Sequence, residues 1–217
     1  MMRSREYSHQ EELANTLSHA LGIILGVIAG FILLKKAFQL QQPIIIFSVF
    51  VYWVGMLSSY ITSTYYHSLP IGPRKQFLQK LDHAAIYLHI AGTYTPLTLI
   101  SLQEEKVWAG FILTSVWLFA FIGIAISLRQ SDKHSHIKTL CYVLMGCFIL
   151  VAFKPLITAL NATNKMDVLW WIIAGGISYI IGAIFYSLVQ RKYTHTIFHF
   201  FVLIGSFCHI IAIYVLL

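Results

Sequence analysis

The chain has 217 residues, of which 58% are hydrophobic and only 11% carry a charged side chain. Soluble domains carry roughly one quarter charged residues, so this composition excludes an ordinary soluble protein and predicts an integral membrane protein. The formal net charge is +7. The basic residues lie in short loops without interleaved aromatic side chains, and we therefore expect no nucleic-acid partner.

Apolar segments recur along the whole chain and predict an all-α integral membrane fold in a single domain, 1–217. A spanning helix needs about 20 mostly apolar residues. After a short tail at 1–12, we expect a seven-transmembrane helix bundle with spans at 14–35, 44–66, 83–103, 107–128, 138–158, 168–189 and 196–216. The fifth span is the weakest, because it reaches membrane length only if Lys154 snorkels or the helix continues past Pro155.

Lysine and arginine are distributed unequally between the two sides of such a bundle. The tail and the loops after spans two, four and six carry ten of them, and the other side carries five. Because basic residues concentrate in cytoplasmic loops, we predict a cytoplasmic amino terminus and a carboxyl terminus outside. The outward loops are short, so we expect no large extracellular protein ligand.

Span one carries three glycines at four-residue spacing, Gly22, Gly26 and Gly30. This pattern allows another helix to approach closely in lipid. Asn15 and His19 continue the same helical face, so we expect both side chains to point into the bundle.

Histidines concentrate at the predicted cytoplasmic ends of the helices. His67 ends span two, Asp82 and His83 begin span three, and His195 and His199 begin span seven. His195 and His199 are four residues apart, so their Cβ atoms lie about 5–6 Å apart on one helical face and two imidazoles can bind one metal ion. His67 can supply a third nitrogen. Three protein ligands with one open position are typical of catalytic zinc.

Asp82 and Ser63 are the predicted catalytic residues beside this metal. A carboxylate next to the low-dielectric membrane interior is costly without a nearby cation. We therefore expect Asp82 to hold and deprotonate a water at the metal rather than to act as a fourth ligand. Ser63 precedes His67 by four residues and can donate to a developing oxyanion or hold the water. Alternatively, its hydroxyl bonds the backbone carbonyl four residues back.

Other polar side chains are expected around the metal ligands rather than on the metal itself. These are Glu12, Asn15, His19 and His83. His209 lies ten residues beyond His199, about 15 Å along the helix, and cannot share the same metal.

Three sequence blocks resemble the motifs of the progestin and adipoQ receptor family, in particular its bacterial hemolysin III branch. They are "EELANTLSHALG", then "STYYHSLP" followed by "KLDHAAIYLHIAGTYTP", and "HTIFHFFVLIGSFCH". The resemblance implies seven helices around a zinc ion near the cytoplasmic face, bound by His67, His195 and His199, with Asp82 and Ser63 beside the water. It also implies lipid amide hydrolysis, as in ceramidases, for eukaryotic relatives. For bacterial relatives it implies a role in membrane lipid or fluidity homeostasis, in the inner membrane.

Two functions remain open at this point. The first is a zinc-dependent intramembrane hydrolase that acts on an amide or ester of a membrane lipid. The second is a non-enzymatic membrane sensor or regulator, in which a structural zinc site only joins the helices. A transporter or pore would need polar residues along a whole transmembrane path, whereas here they concentrate at one end.

Overall fold

The computed structural model describes residues 6–129, 136–188 and 191–217, and every regular element among them is helical. In chain order the α-helices are α1 (His9–Gln39), α2 (Pro43–Ser68), α3 (Pro73–Ser101), α4 (Lys106–Arg129), α5 (His136–Gly146), α6 (Phe153–Ala162), α7 (Met166–Ser187) and α8 (Thr194–Leu216). A 3₁₀ segment, Cys147–Ala152, joins α5 to α6. The predicted all-α fold is confirmed.

Six helical segments of the described chain are long and apolar enough to cross a membrane. They are His9–Gln39, Pro43–Ser68, Lys106–Arg129, Ile137–Ala162, Met166–Ser187 and Thr194–Leu216. The chain is therefore a multi-pass membrane helix bundle. The predicted third span, 83–103, lies in α3, which is outside this set because many of its buried side chains are polar, including Gln79, His89, Thr93 and Thr98.

Two helices begin well before the predicted spans. α1 begins at His9, inside the predicted tail 1–12, because Ser8 and Glu11 cap its first turn reciprocally. α3 begins at Pro73, so Asp82 lies in its third turn rather than at its start. α7 ends at Ser187, close to the start of α8, and residue 189, the last of the predicted span 168–189, lies outside the described residues.

The fifth segment continues past Pro155 to Ala162. Proline has no amide hydrogen for the carbonyl of Val151, and the tighter 3₁₀ segment Cys147–Ala152 lies just before it. The helix thus reaches membrane length by running through the proline.

Tyr94 of α3 supports the start of this 3₁₀ segment. Its hydroxyl donates to the Gly146 carbonyl at 2.8 Å and accepts from the Ile149 amide at 2.8 Å. One side chain therefore satisfies two backbone groups where the helical pairing changes.

The glycines of α1 face α2, as their spacing predicts. A Cβ atom added at Gly22 would overlap the ring of Tyr60, and one added at Gly30 would overlap the ring of Trp53. A Cβ at Gly26 would lie 2.7 Å from the Leu57 side chain. The absence of side chains on this stripe is what lets aromatic rings of α2 pack directly against the α1 backbone.

α2 and α3 approach each other more closely still. A Cβ at Gly55 would lie 2.7 Å from the Leu88 carbonyl oxygen, and a Cβ at Gly92 would lie 3.1 Å from the Val51 carbonyl oxygen. Backbone therefore meets backbone at this crossing, which fixes Ser63 of α2 relative to α3.

Candidate metal centre

Three imidazoles from two helices converge at one end of the bundle. His195 Nε2 of α8 lies 3.1 Å from His67 Nε2 of α2 and 3.0 Å from His199 Nε2 of α8. All three ligand atoms lie within 4.8 Å of one another. The spacing of four residues on α8 and the end of α2 thus produce the three-histidine cluster that the sequence predicts.

The outer ring nitrogens of two of these histidines are held by hydrogen-bond acceptors. His67 Nδ1 lies 2.6 Å from Glu12 Oε2. His199 Nδ1 lies 2.8 Å from Ser18 Oγ, whose own hydrogen is donated to the Asn15 carbonyl at 2.8 Å. Both Nδ1 atoms therefore carry hydrogen, and both Nε2 atoms present a lone pair to the cluster.

This proton arrangement fits a metal ion. His195 Nε2 is within hydrogen-bond distance of both lone pairs, but a single hydrogen on it can serve only one of them. A cation at the common point would bind all three nitrogens and remove their mutual repulsion. Ring nitrogens held by a carboxylate or hydroxyl on their far side are the usual arrangement around histidines that bind metals.

Glu12 connects His67 to α3 through a lysine. The second carboxylate oxygen of Glu12 lies 3.0 Å from Lys75 Nζ. Lys75 is buried and also donates to the backbone carbonyls of Tyr66 at 3.0 Å and Leu69 at 2.8 Å. The end of α2 and the start of α3 are therefore joined beside the metal ligand.

Asn15 joins α1 to α8 and lies beside the His67 ring of α2. Its side-chain oxygen accepts from Thr196 Oγ1 of α8 at 2.6 Å, and its side-chain nitrogen lies 3.5 Å from His67 Nδ1. Asn15 is fully buried, so its side chain points into the bundle as the sequence predicts.

The start of α8 is fixed by Glu11. One carboxylate oxygen accepts from the Tyr193 amide at 3.0 Å, and the other accepts from the Ser8 amide at 3.0 Å. Tyr193 caps α8 with a left-handed backbone at φ 60°, a conformation that costs energy for a residue with a side chain. The capping turn of α1 thus positions the turn that precedes His195.

Tyr7 covers the cluster from the amino-terminal side. Its ring centroid lies 5.2 Å from that of His195 and 6.2 Å from that of His67. Burial raises the pKa of the Tyr7 hydroxyl well above its usual range, so the phenol stays neutral at physiological pH.

Ser63 of α2 and Asp82 of α3 lie close enough for the serine hydroxyl to interact with the carboxylate. Both are buried, and both line a mostly apolar cavity of about 370 Å³ together with His195 and His199. Ser63 therefore lies beside the carboxylate for which the sequence predicts a role at the metal. His83 lines the same cavity, and its backbone carbonyl accepts from the Tyr142 hydroxyl at 3.1 Å.

His19 stacks on His199, with ring centroids 3.5 Å apart and planes at 20°. Neither of its ring nitrogens has a hydrogen-bond partner within the described part of the chain. The structure thus places His19 against a predicted ligand by ring contact, not by a hydrogen bond.

Comparison with known proteins identifies the family. A family described as haemolysin-III related matches residues 7–210. The chain belongs to this family. It is 38% identical over 197 residues to Hemolysin-3 of Bacillus cereus, which covers 91% of this chain and 87% of that protein. It is 35% identical over 201 residues to a Hemolysin-3 homolog of Bacillus subtilis, with 92% and 91% covered.

A more distant relative is the adiponectin receptor protein of Drosophila melanogaster, which is 24% identical over 221 residues and covers 91% of this chain and 49% of the receptor. The haemolysin-III-related chain thus falls in the hemolysin III branch of the progestin and adipoQ receptor family. The resemblance stated from its motifs is confirmed.

Several site residues of this haemolysin-III-related protein were missed by sequence reasoning. They are Tyr7, Glu11, Ser18, Lys75 and Thr196. Ser18 carried a usable signal, because it follows Asn15 by three residues on the same helical face. The pattern Ser8 to Glu11 is a capping box and could have placed Glu11 at a helix start. Lys75 carried no such signal, since a basic residue in a loop is also what membrane topology predicts.

Proposed function

We propose that this protein is a zinc-dependent intramembrane hydrolase that cleaves an amide or ester of a membrane lipid and thereby contributes to membrane lipid or fluidity homeostasis. The observation that carries the proposal is the shared cavity. Two of the three converging histidines and the Ser63–Asp82 pair line the polar end of a space that is otherwise mostly apolar. A lipid tail fits the apolar part, and its polar linkage fits the histidine end.

The proposed membrane arrangement has seven spans in a single domain, with α3 as the third. α3 can cross the membrane because its polar side chains are buried inside the bundle rather than exposed to lipid. The amino terminus and the metal centre then face the cytoplasm, and the carboxyl terminus lies outside, in a bacterial inner membrane. The partner is a membrane lipid, with neither nucleic acid nor a large extracellular protein ligand.

The chemistry follows from the positions of the side chains. Zinc held by His67, His195 and His199 would polarise a carbonyl and lower the pKa of a water to about 7. The Asp82 carboxylate accepts the proton of the attacking water and returns it to the leaving amine or alkoxide. A hydrogen bond donated by the neighbouring Ser63 would keep the carboxylate in one orientation.

The Asp82→Asn variant tests this role. We expect it to retain bound zinc and thermal stability and to lose at least about a hundredfold in hydrolysis of a lipid amide such as ceramide, because the amide cannot accept the proton. The measurements are zinc per chain and product release by the purified protein. The matched control is Asp167→Asn, an exposed aspartate at the start of α7, which should keep full activity.

A second candidate function is a membrane sensor with a structural zinc site. It is favoured by the ties between helices, since Glu12 and Ser18 of α1 hold His67 of α2 and His199 of α8. This candidate predicts that no lipid amide or ester is cleaved by the wild type and that His67→Ala mainly lowers thermal stability. Turnover that depends on Asp82 would exclude it.

A further inference from the structure

The cavity beside the candidate metal centre continues along one face of α3 and one face of α7. On α3 a residue lines it at every turn, at Asp82, Ile86, Ile90, Thr93 and Leu97. On α7 the same holds for Leu169, Ile173, Gly176, Ile180, Ala183 and Tyr186. Residues three or four apart share one helical face. These two faces are therefore continuous walls of a single cavity rather than isolated contacts.

The length of the cavity follows from these walls. Leu97 is fifteen residues from Asp82, about 22 Å along α3, and Leu169 is seventeen residues from Tyr186, about 26 Å along α7. Tyr186 marks the metal end, because its ring centroid lies 5.5 Å from that of His195. The cavity therefore extends from the metal centre through most of a hydrocarbon core about 30 Å thick.

Three leucines close the end of the cavity that lies far from the metal centre. Leu97 of α3, Leu156 of α6 and Leu169 of α7 all line it, are 9%, 2% and 4% exposed, and belong to one hydrophobic cluster. One turn further along α3 and α6, Ser101 and Leu160 are also buried, but neither lines the cavity. Within the described residues the cavity thus ends at these three side chains, the floor leucines.

We infer that the floor leucines set the acyl-chain length of the lipid that the cavity accepts. The inference rests on the proposed function, in which the cavity holds an acyl chain whose carbonyl lies at the histidine end. An extended chain advances about 1.2 Å per bond, so about 22 Å holds roughly 16 to 18 carbons. A longer chain has to displace packed leucines, and a shorter chain leaves part of the cavity unfilled. Both cost free energy.

Saturated fatty acids from laurate to lignocerate test the inference, because they differ only in chain length. Their relative affinities for the purified, zinc-loaded protein are measured by displacement of a fluorescent fatty acid. All are compared at equal mole fraction in detergent micelles, so that every chain leaves the same apolar medium. We expect palmitate or stearate to bind most tightly, and laurate and lignocerate to bind about ten times more weakly.

Leu97→Ala and Leu169→Ala should each move the optimum to a chain about two carbons longer. Each substitution removes three carbon atoms from the floor and extends the cavity by about 2–3 Å. A gain of affinity for longer chains separates this effect from misfolding, because an unfolded variant cannot acquire a new preference. The two substitutions lie on different helices and give independent tests.

Leu33→Ala is the matched control. Leu33 of α1 is 0% exposed and belongs to the same hydrophobic cluster, but it is not part of the cavity lining. The variant should lower thermal stability as the floor variants do, because it also leaves a buried void. It should keep the wild-type optimum, and a longer optimum in this variant would contradict the role of the floor leucines.

The outcomes separate this inference from the proposed function. Equal affinity for all chains from stearate to lignocerate overturns the floor and leaves the lipid cavity in place. The chain end would then leave through the side of the cavity, where Leu150 and Ile177 are 62% and 53% exposed. An optimum that is unchanged in both floor variants also overturns the floor. Failure of every fatty acid to bind overturns the floor together with the lipid cavity. An optimum that lengthens in both variants supports the inference even if no hydrolysis is found.

Discussion

Glu12 is a single carboxylate with two partners of different kinds, the Nδ1 atom of the candidate metal ligand His67 and the ammonium group of Lys75. It makes His67 a stronger donor to a metal because it holds the Nδ1 hydrogen and orients the ring. Glu12 can act in this way through the His67 ring, without itself binding the metal.

We expect Glu12→Gln to weaken zinc binding about 10- to 100-fold, because a neutral amide polarises the imidazole less than a carboxylate does. The measurement is zinc affinity by competition with a chelator. Glu104→Gln, at an exposed loop position, is the control and should not change the affinity. An unchanged affinity in Glu12→Gln would show that the Glu12–His67 contact has no role in metal binding.

Lys75→Met tests the tie between α2 and α3. The substitution keeps most of the apolar stem but leaves the carbonyls of Tyr66 and Leu69 and one oxygen of Glu12 without their donor. We expect a loss of about 1.5–3 kcal/mol in stability, the usual value for hydrogen bonds to a charged group. Thermal melting in detergent measures it, with Lys106→Met at an exposed position as the reference. Equal melting temperatures would contradict the prediction.

At the scale of helices, the close crossing of α2 and α3 decides whether Ser63 reaches Asp82. Gly55→Ala should lower the melting temperature and the activity together, because its Cβ would lie 2.7 Å from the backbone oxygen of Leu88 and would push the helices apart. Gly110→Ala in α4, which meets nothing within 4 Å, should instead be neutral or stabilising. Tolerance of Gly55→Ala would mean that the crossing can widen freely.

The existence of most helices could be predicted from the sequence, because about twenty apolar residues in a row have few alternatives to a spanning helix. The helix ends could not. α3 continues outward from its apolar part through Lys75 and Gln79, whose polar atoms find partners within the bundle. The length of an apolar segment does not show which polar residues beyond it will find hydrogen-bond partners on another helix.

The same limit applies to the site. Helical spacing fixed His195 and His199 as neighbours, since four residues return to the same face. Contacts between distant segments, such as Ser18 with His199 or Glu11 with Tyr193, depend on how α1 packs against α8. No local pattern in the sequence contains that packing.

At the scale of the whole molecule, the three-histidine cluster and its hydrogen-bond partners join the first, second and last described helices of the bundle. Removal of zinc by a chelator should therefore lower the melting temperature, and return of zinc should restore it. With zinc at a hundred times its dissociation constant, the expected stabilisation is about 2.7 kcal/mol. The double variant His195→Ala, His199→Ala should melt at the same temperature with and without zinc. A zinc-dependent shift in that variant would place the metal elsewhere.

The polar character of α3 has a consequence for how the protein is made. On the proposed seven-span arrangement, a helix with buried Gln79, His89 and Thr93 is a poor substrate for insertion into lipid on its own. It would enter the bilayer together with the more apolar α2 and α4, as one three-helix unit. Asp82 of α3 would then remain without the histidines that α8 brings until α8 has been synthesised. The site would thus be completed only when α8 is inserted, and a nascent chain stalled before α8 would be a natural target for membrane quality control.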